Sequence, residues 1–445
     1  MTVERRISFE SDGVEVAAAL AAGSVEPHVV YEGKDSVCWA EGEFAVVSVR
    51  GSGATLIEDG KRTDFPLRQP QAALAEVLGA IAMPEWRAYG WISFEWSHLL
   101  HGGVPSESGG PLVYLAVPRR EIRFVDGAAT LRAANESELD DLDARLSRAV
   151  AASGTTTAPD LVMIDEREDL SGYREAVAQA VSEIRAGSLD KVILSRVVPV
   201  EEDLDFPATY VAGRKGNAPA RSFLLRLGGW EAAGFSPEIV AAVGAEGAVR
   251  TQPLAGTRAF DGDSVLDVAR REELYRDAKE VFEHAISVRL AAMEMAGVCA
   301  PGTVHVADFM SVKERGSVQH LASDVAGTLM GDRTAWDALG ALFPAVTASG
   351  IPKASACEAI GRIEPSGRGL YSGAVLTIDS AGELDAALVL RSVFRRDGRT
   401  WLRAGAGIVA DSTPNREFEE TVEKLRSVSR FLVPSAPALT AAAAR

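Results

Sequence analysis

The chain of 445 residues is 47% hydrophobic and 24% charged, with 46 basic against 63 acidic side chains and a formal net charge of −17. Such a composition suits a globular, enzyme-sized protein with a substantial core. Its acidic surface repels phosphate backbones and anionic lipid, which argues against nucleic-acid and membrane partners.

Cys38, Cys299 and Cys357 lie far apart with no CxxC spacing, so they read as ordinary reduced residues. The opening "MTVERRISFESDG" has no apolar core of a secretion signal. No window reaches the roughly 18 apolar residues of a membrane span. The expectation is a cytoplasmic protein.

Residues 1–160 read as a strand-rich N-terminal part packing on the remainder. "FAVVSVRGSGATLIEDGKRTDF" spells two short strands around a glycine turn, and "AYGWISFEW" and "PLVYLAVPRREIRFVDG" add more. "NESELDDLDARLSRAVAASG" has helical periodicity, with an Asn/Ser start and a Gly stop. The small, polar "SGTTTAPDL" marks a boundary. Residues 161–434 open with a helix, "LSGYREAVAQAVSEIRAGS", and a strand, "KVILSRVVPVE". A meander of "RSFLLRL", "WEAAGFS", "EIVAAVG" and "AVRTQPL" follows, then one long helix over "REELYRDAKEVFEHAISVRLAAMEM". A second meander runs through "LYSGAVLTID", "ELDAALVLRSVFRRD" and "RTWLRAGAGIV", and a helix carrying "REFEETVEK" closes the fold. Residues 435–445 read as a frayed tail. Antiparallel runs beside long helices indicate an α+β fold.

Two Glu-x-x-Glu pairs stand out, Glu280 with Glu283 and Glu417 with Glu420, each on one face of a helix. Brought together, four carboxylates would repel one another unless a cation lay between them. An oxygen-only set of this kind favours Mg²⁺ over zinc. Glu-x-x-Glu is a common spacing, and taken alone each pair reads first as a solvated helix face. Lys191 opens an apolar strand and is either a partly buried base or an edge lysine. Glu238, after the proline of "GFSPEIV", is either an acid with a raised pKa or a turn residue. Gly405 and Gly407 in "RAGAGIV" allow backbone to approach an anion. Arg391, inside "AALVLRSVF", needs an anionic partner, either a structural acid or a ligand carboxylate. Tyr371 and Thr347 offer hydroxyls, and His320 is a structural or pocket-lining imidazole.

Eight fragments stand in one order: "KVILSR", "FSPEIV", "PLAGTR", "KEVFEH", "FPAVTASGIPK", "GLYSGAV", "LRAGAGIV" and "REFEETVEK". In that order they resemble the chorismate-utilising enzymes, strongly over about residues 170–432 and weakly into "AYGWISFEW". The resemblance implies a single α+β fold of packed, largely antiparallel sheets flanked by helices, like that of anthranilate synthase component I. It also implies a Mg²⁺-dependent reaction on chorismate. Glu283 and Glu420 match the direct metal ligands, Glu280 and Glu417 those acting through water, and Lys424 a substrate-side lysine. Lys191 matches the base of the water-adding members and Glu238 the general acid. Arg391, Tyr371, Gly405, Gly407, Thr257, Thr347 and His320 match substrate-binding and pocket-lining positions.

Ala255 stands where aminodeoxychorismate synthases carry a nucleophilic lysine, and no glutamine amidotransferase signature is found, so no such subunit is expected. "TASGIPK", "SFLLRLGG" and "ERGSVQHL" look most like the siderophore-type salicylate synthases, which implies chorismate to isochorismate and then to salicylate and pyruvate, by a monomer. The alternatives are an isochorismate synthase that releases its product and a non-catalytic chorismate-binding subunit. One departure from the pattern is Gln252, where a Glu is expected beside the pocket.

Overall fold

The computed structural model describes residues 2–101, 110–154, 160–260, 262–316 and 318–436. Most of "SGTTTAPDL" and the tail from residue 437 lie outside the described residues. The architecture is the α+β arrangement expected from the sequence. Among the described residues the strands form one eleven-stranded and one twelve-stranded sheet.

Both sheets mix strands from before and after the expected boundary. His28–Glu32 pairs with Arg221–Leu227 in antiparallel register, Val30 opposite Leu224. In the other sheet Arg87–Ile92 pairs with Ala374–Asp379, Trp91 opposite Val375. Surface strands alternate, as Ala45–Arg50 does. Lys191–Val200 is buried along most of its length, the pattern of a strand covered on both faces.

The sheets meet through an aromatic core that includes Trp91, Phe223, Trp230, Tyr371 and Phe394. Trp230 packs edge-on against Trp91 and Trp401, with ring centroids 6.5 and 5.8 Å apart. Each such ring removes roughly 150–250 Å² from water, worth about 4–6 kcal/mol at ~25 cal/mol per Å² before conformational entropy is counted. Helices Gly13–Ala22, Glu136–Ala152 and Phe206–Gly216 cover one outer face. Pro70–Gly79 and Ala335–Leu342 cover part of the other. Cys38, Cys299 and Cys357 are all buried and unpaired.

One expected element is two. The helix read over 271–295 is Ser264–Arg276 followed by Ala278–Ala296. Between them Asp277 takes extended backbone, φ −74° and ψ 103°. Its carboxylate accepts the amides of Lys279 at 3.0 Å and Glu280 at 3.3 Å. A short acidic side chain that bonds nearby amides ends one helix and caps the next. The long hairpin His305–Arg315 with Val318–Thr328 was also not read from the sequence.

Candidate active site

The floor of the site is the strand pair Lys191–Val200 and Arg399–Ile408, with Ile193 opposite Gly407 and Ser195 opposite Gly405. The two-residue period of a strand puts Lys191, Ile193 and Ser195 on one face with Gly407, Gly405 and Arg403. A Cβ on Gly407 would stand 3.3 Å from both Glu283 Oε1 and Lys191 Cε. One on Gly405 would meet the Leu194 carbonyl at 2.6 Å and the Tyr371 hydroxyl at 3.0 Å. Both glycines lie inside the strand pairing without the left-handed backbone of an anion nest. What they supply is room for the side chains above them.

Above this floor is a cavity of about 630 Å³. Lys191, Glu238, Thr257, Glu280, Glu283, His320, Thr347, Tyr371, Arg391, Gly405, Gly407, Glu420 and Lys424 all line it. Of the proposed metal, acid–base and substrate-binding residues, Glu417 is off its wall. Gln252 is also off the wall and bonds Asp324 at 3.0 Å instead. It lies one residue past strand Ala248–Thr251, which pairs with Val318–Thr328, and two residues before Leu254 of the cavity wall.

Lys191 is 4% exposed and its ammonium pairs with Glu283 Oε1 at 2.5 Å. Glu238, equally buried, accepts the Thr347 hydroxyl at 2.7 Å. Burial pushes its carboxyl up to about 8, against the opposing pull of Thr347, the Leu254 amide and Lys191. It is therefore a carboxylic acid at neutral pH.

Arg391 sits at positive φ, 50°, a costly backbone for a branched-off cation in a core and a frequent mark of function. Its guanidinium donates to the Arg315 carbonyl at 3.1 Å and to His320 Nε2 at 2.5 Å, and among the described residues no acid pairs with it. Burial, then Arg315, lowers it to about 10. The structural-acid alternative is thus removed, and the cavity holds a buried cation without its anion. His320 Nδ1 faces the Thr257 hydroxyl at 3.0 Å and the Gly256 carbonyl at 3.3 Å. A carbonyl only accepts, so Nδ1 carries the proton and Nε2 accepts from Arg391. Burial and Arg391 hold this imidazole far below its ordinary value, hence neutral.

The two helices bring their acids to one end of the cavity. Lys424 pairs with Glu420 at 2.8 Å and donates to the Gly405 carbonyl at 2.9 Å. Burial works to lower Lys424, and Glu420 more than offsets it. Burial and Glu283 push Glu280 up, although Arg258 and Arg416 approach it at 3.6 and 3.8 Å. Glu417 is fully buried, and neither of its oxygens meets the geometry of a hydrogen bond, Ser412 being the hydroxyl nearest to easing its charge. Burial and the Glu420 charge push it up as well. As they stand, no three acidic, imidazole or thiol groups among the described residues converge closely enough to grip an ion. Bare buried oxygens and like-charged neighbours are nevertheless what an oxygen-ligated cation would satisfy.

Sequence reasoning missed four contributors. Arg258 bonds Asp277 at 2.8 Å, tying the cavity wall to the cap of the Glu283 helix. Glu364 and Arg368 form a buried pair behind the floor. Arg403 joins them and reaches the cavity wall. The two-residue spacing of Arg403, Gly405 and Gly407 was the available signal for the last.

The family model described as chorismate binding enzyme matches residues 28–430. A salicylate synthase of Mycolicibacterium paratuberculosis (strain ATCC BAA-968 / K-10) is 44% identical over 94% of this chain and 92% of its own length. Anthranilate synthase component I from Streptococcus pneumoniae TIGR4 superposes with TM-score 0.73 at 25% identity, over 89% of this chain and 92% of that one. The menaquinone-specific isochorismate synthase from Escherichia coli does so with TM-score 0.73 at 24% identity, over 96% and 95%, and shares the fold.

Proposed function

This chain belongs to the chorismate binding enzyme family, and from that premise we propose that it is a salicylate synthase, converting chorismate through isochorismate to salicylate and pyruvate. The likeness to the mycobacterial salicylate synthase over nearly the whole chain supports the assignment. The observation that carries the mechanism is that a carboxylic acid, Glu238, and a buried lysine, Lys191, line one cavity.

In the first step Lys191 takes a proton from the water that adds at C2 of the ring, and Glu238 gives its proton to the departing C4 hydroxyl. Thr347 holds one oxygen of Glu238, leaving the other to carry the proton. Lys191 is paired with Glu283 in the structure, so its action as a base requires release from that pair and loss of the ammonium's own proton before it can take one from water. Arg391, with its hydrogen-bonded neutral His320, receives a substrate carboxylate, and Tyr371 and Lys424 complete that side. In the second step pyruvate leaves by an internal hydrogen transfer, which asks the site for orientation rather than for a second acid–base pair.

Glu280, Glu283, Glu417 and Glu420 are the residues that would hold Mg²⁺, and their all-oxygen set and the unsatisfied Glu417 fit it. When bound, Mg²⁺ would neutralise the ring carboxylate and help align the leaving group. The same reading has the enzyme acting as a cytoplasmic monomer without an amidotransferase subunit, its salicylate feeding siderophore assembly or another secondary metabolite. None of its described helices is long and apolar enough to cross a membrane.

The test is turnover of chorismate by the purified chain, followed by salicylate fluorescence, with Mg²⁺ and with EDTA. Salicylate and pyruvate in equal amounts, lost on chelation, are expected. Accumulating isochorismate or an inert protein would refute the assignment.

A further inference from the structure

On the floor strands, one step past Ser195 and Gly405, lies a cluster that the acid–base reading does not use. Glu364, the C-cap of helix Lys353–Ile363, accepts the Ser195 amide and hydroxyl, both at 2.8 Å. It also accepts Arg368 Nε at 3.0 Å, Arg368 Nη2 at 2.6 Å and Arg403 Nη2 at 2.6 Å. Arg403 goes on to Ser195 Oγ at 2.8 Å and the Gly367 carbonyl at 2.7 Å. Arg368 reaches the carbonyls of Ala348 at 2.7 Å and Ile193 at 2.6 Å. The two guanidinium side chains are 1% and 2% exposed. Glu95, which accepts the Arg368 amide at 2.6 Å and the Gly369 amide at 3.1 Å, adds a second carboxylate beside the two cations, so the buried charges are held by paired, hydrogen-bonded partners.

The two guanidinium groups face a ring. The guanidinium carbons of Arg368 and Arg403 lie 5.7 and 5.5 Å from the centre of Tyr371, inside the reach of a cation–π contact. The Tyr371 hydroxyl lies against Gly405, whose carbonyl Lys424 already holds at 2.9 Å. Ring and ammonium therefore converge on one spot of the cavity. We propose that Arg403, backed by Arg368 and locked by Glu364, is a positioning residue: it pins the Tyr371 ring so that the hydroxyl is presented to a substrate carboxylate. The proposal rests on the reading of Tyr371 as a substrate contact.

A double-mutant cycle on chorismate kinetics tests it, using Tyr371→Phe, Arg403→Gln and the double variant. Loss of Arg403 leaves Glu364 still paired with Arg368. Each single change is expected to raise KM about tenfold with kcat nearly unchanged, and the double variant to rise no further, because both remove one contact. A double variant near a hundredfold marks independent, merely structural effects and overturns the positioning role while leaving Tyr371 a substrate contact. Unchanged KM in Tyr371→Phe overturns the reading of Tyr371 and the proposal with it. Should Arg403→Gln not fold, Arg403→Met, which keeps an unbranched stem but removes the cation, enters the cycle with the same expected pattern.

Discussion

Glu238 owes its proton to burial, and that makes its behaviour with pH predictable. Its folded value of about 8 lies above the ordinary carboxylate range, so the acid form is present at neutral pH and is lost as pH rises through about 8. Turnover should decline on that alkaline limb. Glu238→Gln should slow water addition by about 10²–10⁴-fold and erase the limb. Thr347 is among the groups that hold the value down, so Thr347→Val should move the limb to higher pH, read in a pH–rate profile. Lys191→Ala removes the proposed base; salicylate formation from chorismate should stop while pyruvate release from supplied isochorismate persists. Continued use of chorismate by that variant would sink the base assignment.

The helices matter at the next scale because they deliver acids in pairs. Three residues is nearly one turn, so each Glu-x-x-Glu presents both carboxylates to one side. The Glu283 helix starts where it does because Asp277 caps it and Arg258 holds Asp277. Asp277→Ala should cost about 1 kcal/mol of stability, seen as a lower melting temperature. It should also raise the Mg²⁺ concentration needed for half-maximal turnover, since Glu280 lies in the first turn after the cap. Glu420→Gln should weaken the Mg²⁺ response by about tenfold or more and depress both steps together. An unaltered Mg²⁺ titration in that variant would remove Glu420 from the metal set.

The whole molecule behaves as a joint construction of its two halves. Strand Arg221–Leu227 needs His28–Glu32, and Ala374–Asp379 needs Arg87–Ile92. A fragment of residues 161–445 would expose both edges and much of the aromatic core. We expect it to be insoluble or to lack a cooperative melt, and a well-folded fragment would show the catalytic part to be self-sufficient. By itself the sequence determined the features that repeat over a few residues. These are the helix faces bearing paired acids, the strand that opens with Lys191, the glycines under the cavity, and the order of motifs that marks the family. Helical and strand periods arise from backbone geometry within one element, so they are written locally. Tertiary structure alone decided that Lys191 meets Glu283 across 92 positions and that Thr347 meets Glu238 across 109. It also decided that Asp277 divides one expected helix, that Glu417 lies off the cavity wall, and that Arg391 finds His320 instead of an acid. Those outcomes depend on which strands lie side by side and how deeply each group is buried, and burial, the largest influence on Glu238, is a property of the assembled sheets rather than of any stretch of chain.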